Sequence, residues 1–218
     1  MSGLLRKDLE LLKVNMKIYL AVFLIGLLYL ITQENGSTFF VAYATFVSIG
    51  VSVGTISYDS YHHGMKFLMT LPATKKQYVQ SKYLLSFCFA VLVSVVSLLL
   101  GMIRIQIFGN QEVEDLLISA GAALVISGII LCGMIPLRLK YEAEKSRVVM
   151  VAAVAVIFLI AAACKKLYDL YRESFGKGLQ FLNTLSGGLI AIILIIVIAI
   201  CIAASMKVSE RIMEKKAF

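Results

Sequence analysis

The sequence is poor in charge and in proline. Only 16% of its 218 residues are charged and only two are proline, whereas a soluble domain carries about 25% charged residues. At the same time 60% of the residues are hydrophobic, and the mean hydropathy is +0.90. This balance excludes an ordinary soluble protein and indicates a chain that requires lipid.

Motifs for covalent chemistry are also missing. The sequence contains no GxxxxGK[ST] phosphate loop and no HExxH motif. His62 and His63 are adjacent, and neighbouring side chains on a helix point in different directions, which makes them poor joint metal ligands. Four cysteines lack metal-type spacing and are interpreted as small apolar residues: Cys88, Cys132, Cys164 and Cys201. We therefore expect no enzyme activity and no cofactor or metal bound by this chain.

Six apolar stretches are long enough to cross a bilayer, which takes about 20 helical residues. They lie near 18–33, 38–57, 83–103, 116–137, 148–164 and 179–206. The strands of a membrane barrel alternate apolar and polar residues, whereas Ala191–Ala204 is an unbroken apolar run. We predict an all-α membrane protein, a polytopic bundle of six transmembrane helices in one domain over residues 18–218.

Lys and Arg residues set the predicted orientation, because short loops rich in them stay in the cytoplasm. Most of the 21 lie before the first span, in the second and fourth connections, and in the tail. Both termini are therefore predicted to be cytoplasmic. The basic connection 165–177 fits less well, and one span would have to be discarded if it were cytoplasmic. Because the net charge of +8 follows this topology, we expect no nucleic-acid partner.

Ionisable residues are nearly absent from the predicted spans, which disfavours a proton-coupled pump. Arg104 is the nearest case, at the outer end of the third span. Its side chain is expected to extend into water, with contact to a substrate as the alternative.

Residues 1–17 form a predicted amphipathic helix. Apolar residues repeat at helical spacing on one side, and charged residues repeat on another: Leu5, Leu9, Leu12 and Met16 against Arg6, Glu10, Lys13 and Lys17. We expect an interfacial helix on the inner membrane surface; the alternative is the exposed foot of the first span.

The connection 58–82 is too polar to span the membrane, yet it contains the apolar stretch FLMTLP. Gly64 offers a break, Pro72 ends a short helix, and Thr74 is placed to cap the next helix. We predict a short helix parallel to the inner surface. Its apolar side would rest on lipid or dock in the groove of a partner.

This same connection resembles a known family. SYDSYHHGMKFLMTLPATKKQYVQSKYL (57–84) is similar to the signature loop of ABC-2-type transporter permeases, the membrane subunits of small bacterial ABC exporters. The resemblance lies in an acidic residue after the second span, an FLxTLP-like stretch, a basic pair, and Tyr-Val leading to Ser-Lys-Tyr. PLRLKYEAEKSR (136–147) is similar to a family loop of the form PLxxKFGxEKxR, with Glu142 where glycine is usual.

The resemblance implies a permease subunit of an ATP-driven exporter in a bacterial cell membrane. It would form the path for an amphipathic or hydrophobic substrate, such as a peptide, lipid or drug. A second permease copy, identical or not, and two cytoplasmic ATP-binding subunits that bind ATP and magnesium would complete the transporter.

The loop 58–82 would contain the coupling helix, whose apolar residues fill a groove on the ATPase while its lysines meet acidic residues or lipid headgroups. The residues implied at this interface are Asp59, Lys66, Phe67, Leu68, Met69, Thr70, Leu71, Pro72, Lys75 and Lys76. A second cytoplasmic loop would contribute Lys140, Glu144, Lys145 and Arg147.

Two other functions compete with this one. A membrane anchor or assembly protein would recruit a cytoplasmic partner through the same loops without transport. An intramembrane enzyme is disfavoured by the missing nucleophiles and metal ligands.

Overall fold

The computed structural model describes residues 2–14, 16–60, 64–70, 74–109, 112–141 and 187–216, and these residues form helices without strands. The helices are α1 (Ser2–Val14), α2 (Met16–Thr32), α3 (Gly36–Ser60), α4 (Gly64–Thr70), α5 (Lys75–Phe108), α6 (Val113–Lys140) and α7 (Gly187–Lys215). The all-helical prediction is confirmed for this part of the chain.

Three of the described helices, α3, α5 and α6, are long and apolar enough to cross a membrane. A fourth crossing is added if α1 and α2 together form one bent span. Five of the predicted spans coincide with α2, α3, α5, α6 and α7, whereas 148–164 lies outside the described residues. The number of six transmembrane helices therefore stays a prediction.

Each helix that matches a predicted span extends beyond it at one or both ends. The helix α5 is extended at both ends, since it begins at Lys75 instead of near residue 83 and ends at Phe108 instead of near residue 103. Thr74 is its N-cap: the Thr74 hydroxyl accepts from the Gln77 amide, and the Gln77 side chain accepts from the Thr74 amide. The predicted cap is confirmed as a reciprocal capping box.

The most extensive helix packing is between α3 and α5. Small hydroxyl residues are buried along both helices, and several donate to carbonyls of their own helix, as Thr45 does to Val41 at 2.7 Å. Because such side chains are short and satisfied within their helix, two backbones can approach closely in lipid.

The two ends of the bundle have separate buried clusters. At one end, which we call the α4 end, apolar residues of α1, α3, α4, α5, α6 and α7 pack together: Leu4, Ile49, Val53, Ile56, Leu68, Tyr78, Val79, Tyr83, Leu131, Ile135, Leu139 and Met213. At the opposite end a smaller cluster joins α3, α5 and α6: Val41, Ile105, Leu116 and Ala120. The α4 end is thus where most of the described helices meet.

Arg104 is buried at the opposite end instead of extending into water. Its side chain is 6% exposed and donates to the backbone carbonyls of Gln33 and Glu34, the latter at 3.0 Å. These carbonyls follow the end of α2, and the Gly36 amide also donates to Gln33 at 3.1 Å. The expectation that Arg104 snorkels was therefore wrong: the guanidinium closes the turn between α2 and α3.

The helix α1 is inclined by 66° to α2, so it is not a straight foot of the first span. Its buried side also differs from the predicted one. Leu4 and Asp8 are buried, whereas Leu9 is 52% exposed and Met16, in α2, is 59% exposed. Leu4 thus packs inside the bundle, whereas Leu9 lies on the exposed side of α1.

The last two described helices, α6 and α7, both end at the α4 end of the bundle. Leu139, near the end of α6, belongs to the α4-end cluster, and α7 also finishes there, with Met213 in the same cluster. Because α7 runs toward that end, it begins at the other one. Residues 142–186, which include the predicted span at 148–164, lie outside the described part of the chain.

Candidate functional site

The short helix α4 presents different residues to the bundle and to the outside. Leu68 is only 5% exposed and belongs to the α4-end cluster, against which Met65 also packs. Phe67 is 71% exposed. Because consecutive residues of a helix point in different directions, anchoring the helix through Leu68 leaves the ring of Phe67 outside.

This arrangement leaves fewer residues of α4 available to a partner than the sequence predicts. Leu68 was expected to enter a groove on the ATPase, but the structure places it in the core of this chain. Thr70 is exposed, and its hydroxyl donates to the Phe67 carbonyl at 2.7 Å. The side chains of Lys66 and Met69, and residues Leu71 and Pro72, lie outside the described part.

Asp59, the acidic residue expected at the partner interface, is only 5% exposed. Its carboxylate accepts from the Tyr78 hydroxyl at 2.9 Å and pairs with Lys82 at 2.7 Å. Lys7 of α1 donates to the other carboxylate oxygen. The structure therefore uses Asp59 to join three helices.

Lys82 is the centre of this group, which we call the Lys82 cluster: Lys7, Asp8, Thr55, Asp59, Tyr78 and Lys82. Its ammonium donates to Asp8 at 2.7 Å and to the Thr55 hydroxyl at 3.1 Å, besides pairing with Asp59. Lys82 and Asp8 are each 1% exposed. All three ammonium protons are thus used.

The charges of the Lys82 cluster balance, with two carboxylates against two ammonium groups. Removing a charge from water costs several kcal/mol, which only close pairing and further hydrogen bonds offset. The cluster therefore fixes α1, α3 and α5 relative to one another where the loop 58–82 leaves α3 and enters α5.

The lysines predicted at the partner interface, Lys75 and Lys76, contact the end of α7. Lys75 donates to the backbone carbonyls of Lys216 at 2.7 Å and of Glu214 at 3.4 Å. Lys76 lies 3.6 Å from the Glu214 carboxylate, with both side chains more than half exposed. A cation is favourable beside the last carbonyls of a helix, so these contacts hold the end of α7 against the start of α5.

The second predicted loop is described only at its beginning. Lys140 is exposed, and its ammonium lies 5.3 Å from the centre of the Tyr141 ring. The remaining residues of that site, Glu144, Lys145 and Arg147, lie outside the described residues, as do His62, His63, Cys164 and the connection 165–177.

An apolar cavity of about 330 Å³ opens between α2 and α3 toward the opposite end of the bundle. Three aromatic rings line it, with 4.2 Å between the ring centres of Tyr29 and Phe39 and 5.8 Å between those of Phe39 and Tyr43. Its walls suit an acyl chain or an apolar side chain.

The sequence reasoning missed the Lys82 cluster, although it left a signal. Asp8 lies four residues after Leu4 and four before Leu12, so a carboxylate falls within the leucine side of α1. A charge in such a position requires a buried partner. The sequence does not identify the partner, because Lys82 falls among the basic residues of a predicted cytoplasmic loop.

Comparison with known families identifies the family of this chain. A family model described as ABC-2 family transporter protein matches residues 3–214. The chain belongs to the ABC-2 transporter family. The family resemblance of the two loops is thereby confirmed, and this ABC-2 protein is a membrane component of a transporter, of a kind that is generally not itself catalytic. Searches of curated proteins and of solved structures returned no match.

Proposed function

We propose that this chain is the permease subunit of an ATP-driven ABC exporter. Two permease copies, identical or different, provide the path through the membrane, and two cytoplasmic ATP-binding subunits bind ATP and magnesium. Membership of the ABC-2 family supports the association with an ATP-binding subunit and with the bilayer.

The single observation that carries this proposal is the exposure of Phe67. A free phenylalanine ring on a seven-residue helix between two long helices is a suitable anchor for a hydrophobic groove, since aromatic residues dominate binding energy at the centre of interfaces. Leu68 and Met65 attach α4 to the bundle, so force applied to Phe67 reaches the helices.

The orientation we propose places α4 and both termini in the cytoplasm of a bacterial cell. It is supported by the position of α1 and of the end of α7 at the α4 end, where Lys7 pairs with Asp59 and Lys75 contacts Lys216. The excess of Lys and Arg in these segments favours the cytoplasmic side.

The substrate class we propose is amphipathic or hydrophobic, such as a peptide, lipid or drug. Its support is the apolar cavity between α2 and α3 and the apolar outer surfaces of α5 and α6, where Ile107 and Ile118 are 68% and 69% exposed.

Copurification tests the proposed coupling role. The tagged permease is expressed with the ATP-binding subunit and extracted from membranes, and the amount of ATP-binding subunit retained is measured. Phe67→Asp should reduce it strongly, since a carboxylate would be buried without a partner, whereas Phe67→Leu should retain most of it. Equal retention by the Asp variant, at equal permease levels, contradicts the role of α4.

A further inference from the structure

Pro136 lies inside α6, four residues before the helix ends at Lys140. Proline has no backbone N–H, so the carbonyl four residues earlier loses its helical donor. That carbonyl belongs to Cys132. Within a membrane span the surrounding hydrocarbon offers no donor, so such a carbonyl requires another donor from the protein.

The missing donor comes from a different helix. Ser205 of α7 donates its hydroxyl to the Cys132 carbonyl at 2.6 Å. The Ser205 oxygen lies 2.6 Å from the hydroxyl of Tyr83 in α5, which lies 2.9 Å from the Ser209 hydroxyl. Each hydroxyl has one proton, so the direction of the chain is fixed: Ser209 donates to Tyr83, Tyr83 to Ser205, and Ser205 to Cys132.

We call these residues the Pro136 network: Tyr83, Cys132, Pro136, Ser205 and Ser209. Ser209 is fully buried and Tyr83 is 6% exposed, so water does not replace these bonds at low cost. The network joins α5, α6 and α7 at the point where α6 has one hydrogen bond fewer than a regular helix.

The same face of α5 connects the network to the loop 58–82. Proceeding from the start of α5, Lys75 contacts the Lys216 carbonyl, and Gln80 donates to the Glu210 carboxylate at 3.2 Å. Tyr83 follows, bonded to Ser209. The two helices run antiparallel with polar contacts from the exit of the loop to the network.

We propose that Tyr83 and Ser205 are positioning residues of the transport cycle, which carry a displacement of α4 through α5 to α7 and to the Pro136 position of α6. The inference rests on the proposed function, in which the ATP-binding subunits move α4. A helix lacking one internal hydrogen bond bends there more readily than elsewhere, and the Ser205 hydroxyl sets its position.

A double-mutant cycle tests the structural part without any ATPase. Thermal unfolding of the purified full chain in detergent is measured for Ser205→Ala, Pro136→Ala and the double variant. Ser205→Ala should lower the midpoint by about 2–4 °C, because the Cys132 carbonyl loses its donor. In the Pro136→Ala background the drop should nearly vanish, since residue 136 then donates within α6. Equal drops in both backgrounds overturn the proposal.

The functional part is tested in the reconstituted complex with the ATP-binding subunits. A reporter cysteine replaces Val208, which is 50% exposed on α7 beyond the predicted span, after the natural cysteines are changed to alanine; the Cys132 carbonyl is unaffected. The rate of maleimide labelling is compared without nucleotide and with ATP and vanadate. Ser205→Ala and Tyr83→Phe should reduce the nucleotide-dependent change by about fivefold, the effect of one net buried hydrogen bond.

Ser205→Thr keeps the hydroxyl and should retain the change, which a general loss of packing would not predict. The outcomes separate the two proposals. If the wild-type complex assembles and hydrolyses ATP but its labelling rate does not change, the inference about α7 is overturned while the proposed function stands. If the ATP-binding subunit does not copurify at all, the proposed function itself fails.

Discussion

The ammonium of Lys82 lies 2.7 Å from the carboxylate of Asp8, although 74 positions separate them in the chain. Both side chains are 1% exposed. The pair brings the amino-terminal helix α1 to the start of α5. An amphipathic segment that the sequence places on the membrane surface is thus also attached to the helices on either side of the loop 58–82.

Replacing Lys82 should therefore destabilise the protein strongly. Lys82→Met removes the partner of two buried carboxylates, and breaking a buried ion pair on one side costs about 3–5 kcal/mol. The thermal unfolding midpoint and the monodisperse yield in detergent measure the loss. Lys13→Met is the matched control: Lys13 pairs with Glu10 at 2.8 Å, but these side chains are 66% and 60% exposed, so the change should be within about 0.5 kcal/mol.

Partial rescue of Lys82→Met by Asp8→Asn provides a second check on the cluster. Without Lys82 the two buried carboxylates share a single cation, Lys7, and neutralising Asp8 leaves that cation to Asp59. The double variant should be more stable than Lys82→Met alone. Additive losses would show that the two side chains do not interact as described.

Removal of the Arg104 guanidinium should loosen the turn between α2 and α3. Arg104→Met removes the side-chain donor of the Gln33 and Glu34 carbonyls, at a cost of about 1–3 kcal/mol, although the Gln33 carbonyl retains the Gly36 amide. Hydrogen exchange of residues 33–37 should accelerate, while exchange at the α4 end stays unchanged. Ile107→Ala, one turn further along α5 at a residue 68% exposed, should leave the turn unaffected. Unchanged exchange in Arg104→Met would contradict the role of Arg104.

The capping box at Thr74 predicts a local effect. Thr74→Ala should destabilise the first turn of α5 by about 1 kcal/mol, because the Gln77 amide loses its acceptor. Exchange of the Gln77 amide is the direct measurement. Thr74→Ser preserves the hydroxyl and serves as control; if both variants exchange alike, the cap contributes nothing.

Gly26 should tolerate no side chain. A methyl group there would lie 2.9 Å from the Tyr43 ring and 3.2 Å from Phe40, so Gly26→Ala should push α2 from α3 and lower stability by about 1–3 kcal/mol. Gly50→Ala meets no atom within 4 Å and should be neutral or slightly stabilising, since alanine favours helix by about 1 kcal/mol. The thermal unfolding midpoint should therefore be lower than that of the wild type in Gly26→Ala, and equal to it or higher in Gly50→Ala.

The helices could be predicted from the sequence because the features that identify them are local. Apolar runs of bilayer length placed α2, α3, α5 and α6, and Thr74 marked the start of α5. Gly64 marked the start of α4. Each of these features depends only on residues close together in the chain.

The contacts at the sites could not be predicted in this way, because the residues that form them are far apart in the chain. Arg104 contacts a turn about 70 residues away, and no local pattern identifies that acceptor. The division of α4 into a buried Leu68 and an exposed Phe67 depends on which side of the helix meets Tyr78 and Met213. The Cys132 carbonyl requires another donor only because Pro136 has no N–H, and that donor lies on α7.

Site-specific photo-crosslinking is the most direct test of the claim that α4 binds the ATP-binding subunit through Phe67. A photoreactive phenylalanine analogue is placed at position 67 or at position 9, an exposed residue of α1, in membranes that contain both subunits. The account predicts a crosslink to the ATP-binding subunit from position 67 that is far stronger than from position 9. No crosslink from position 67, in a complex that still assembles, would contradict it.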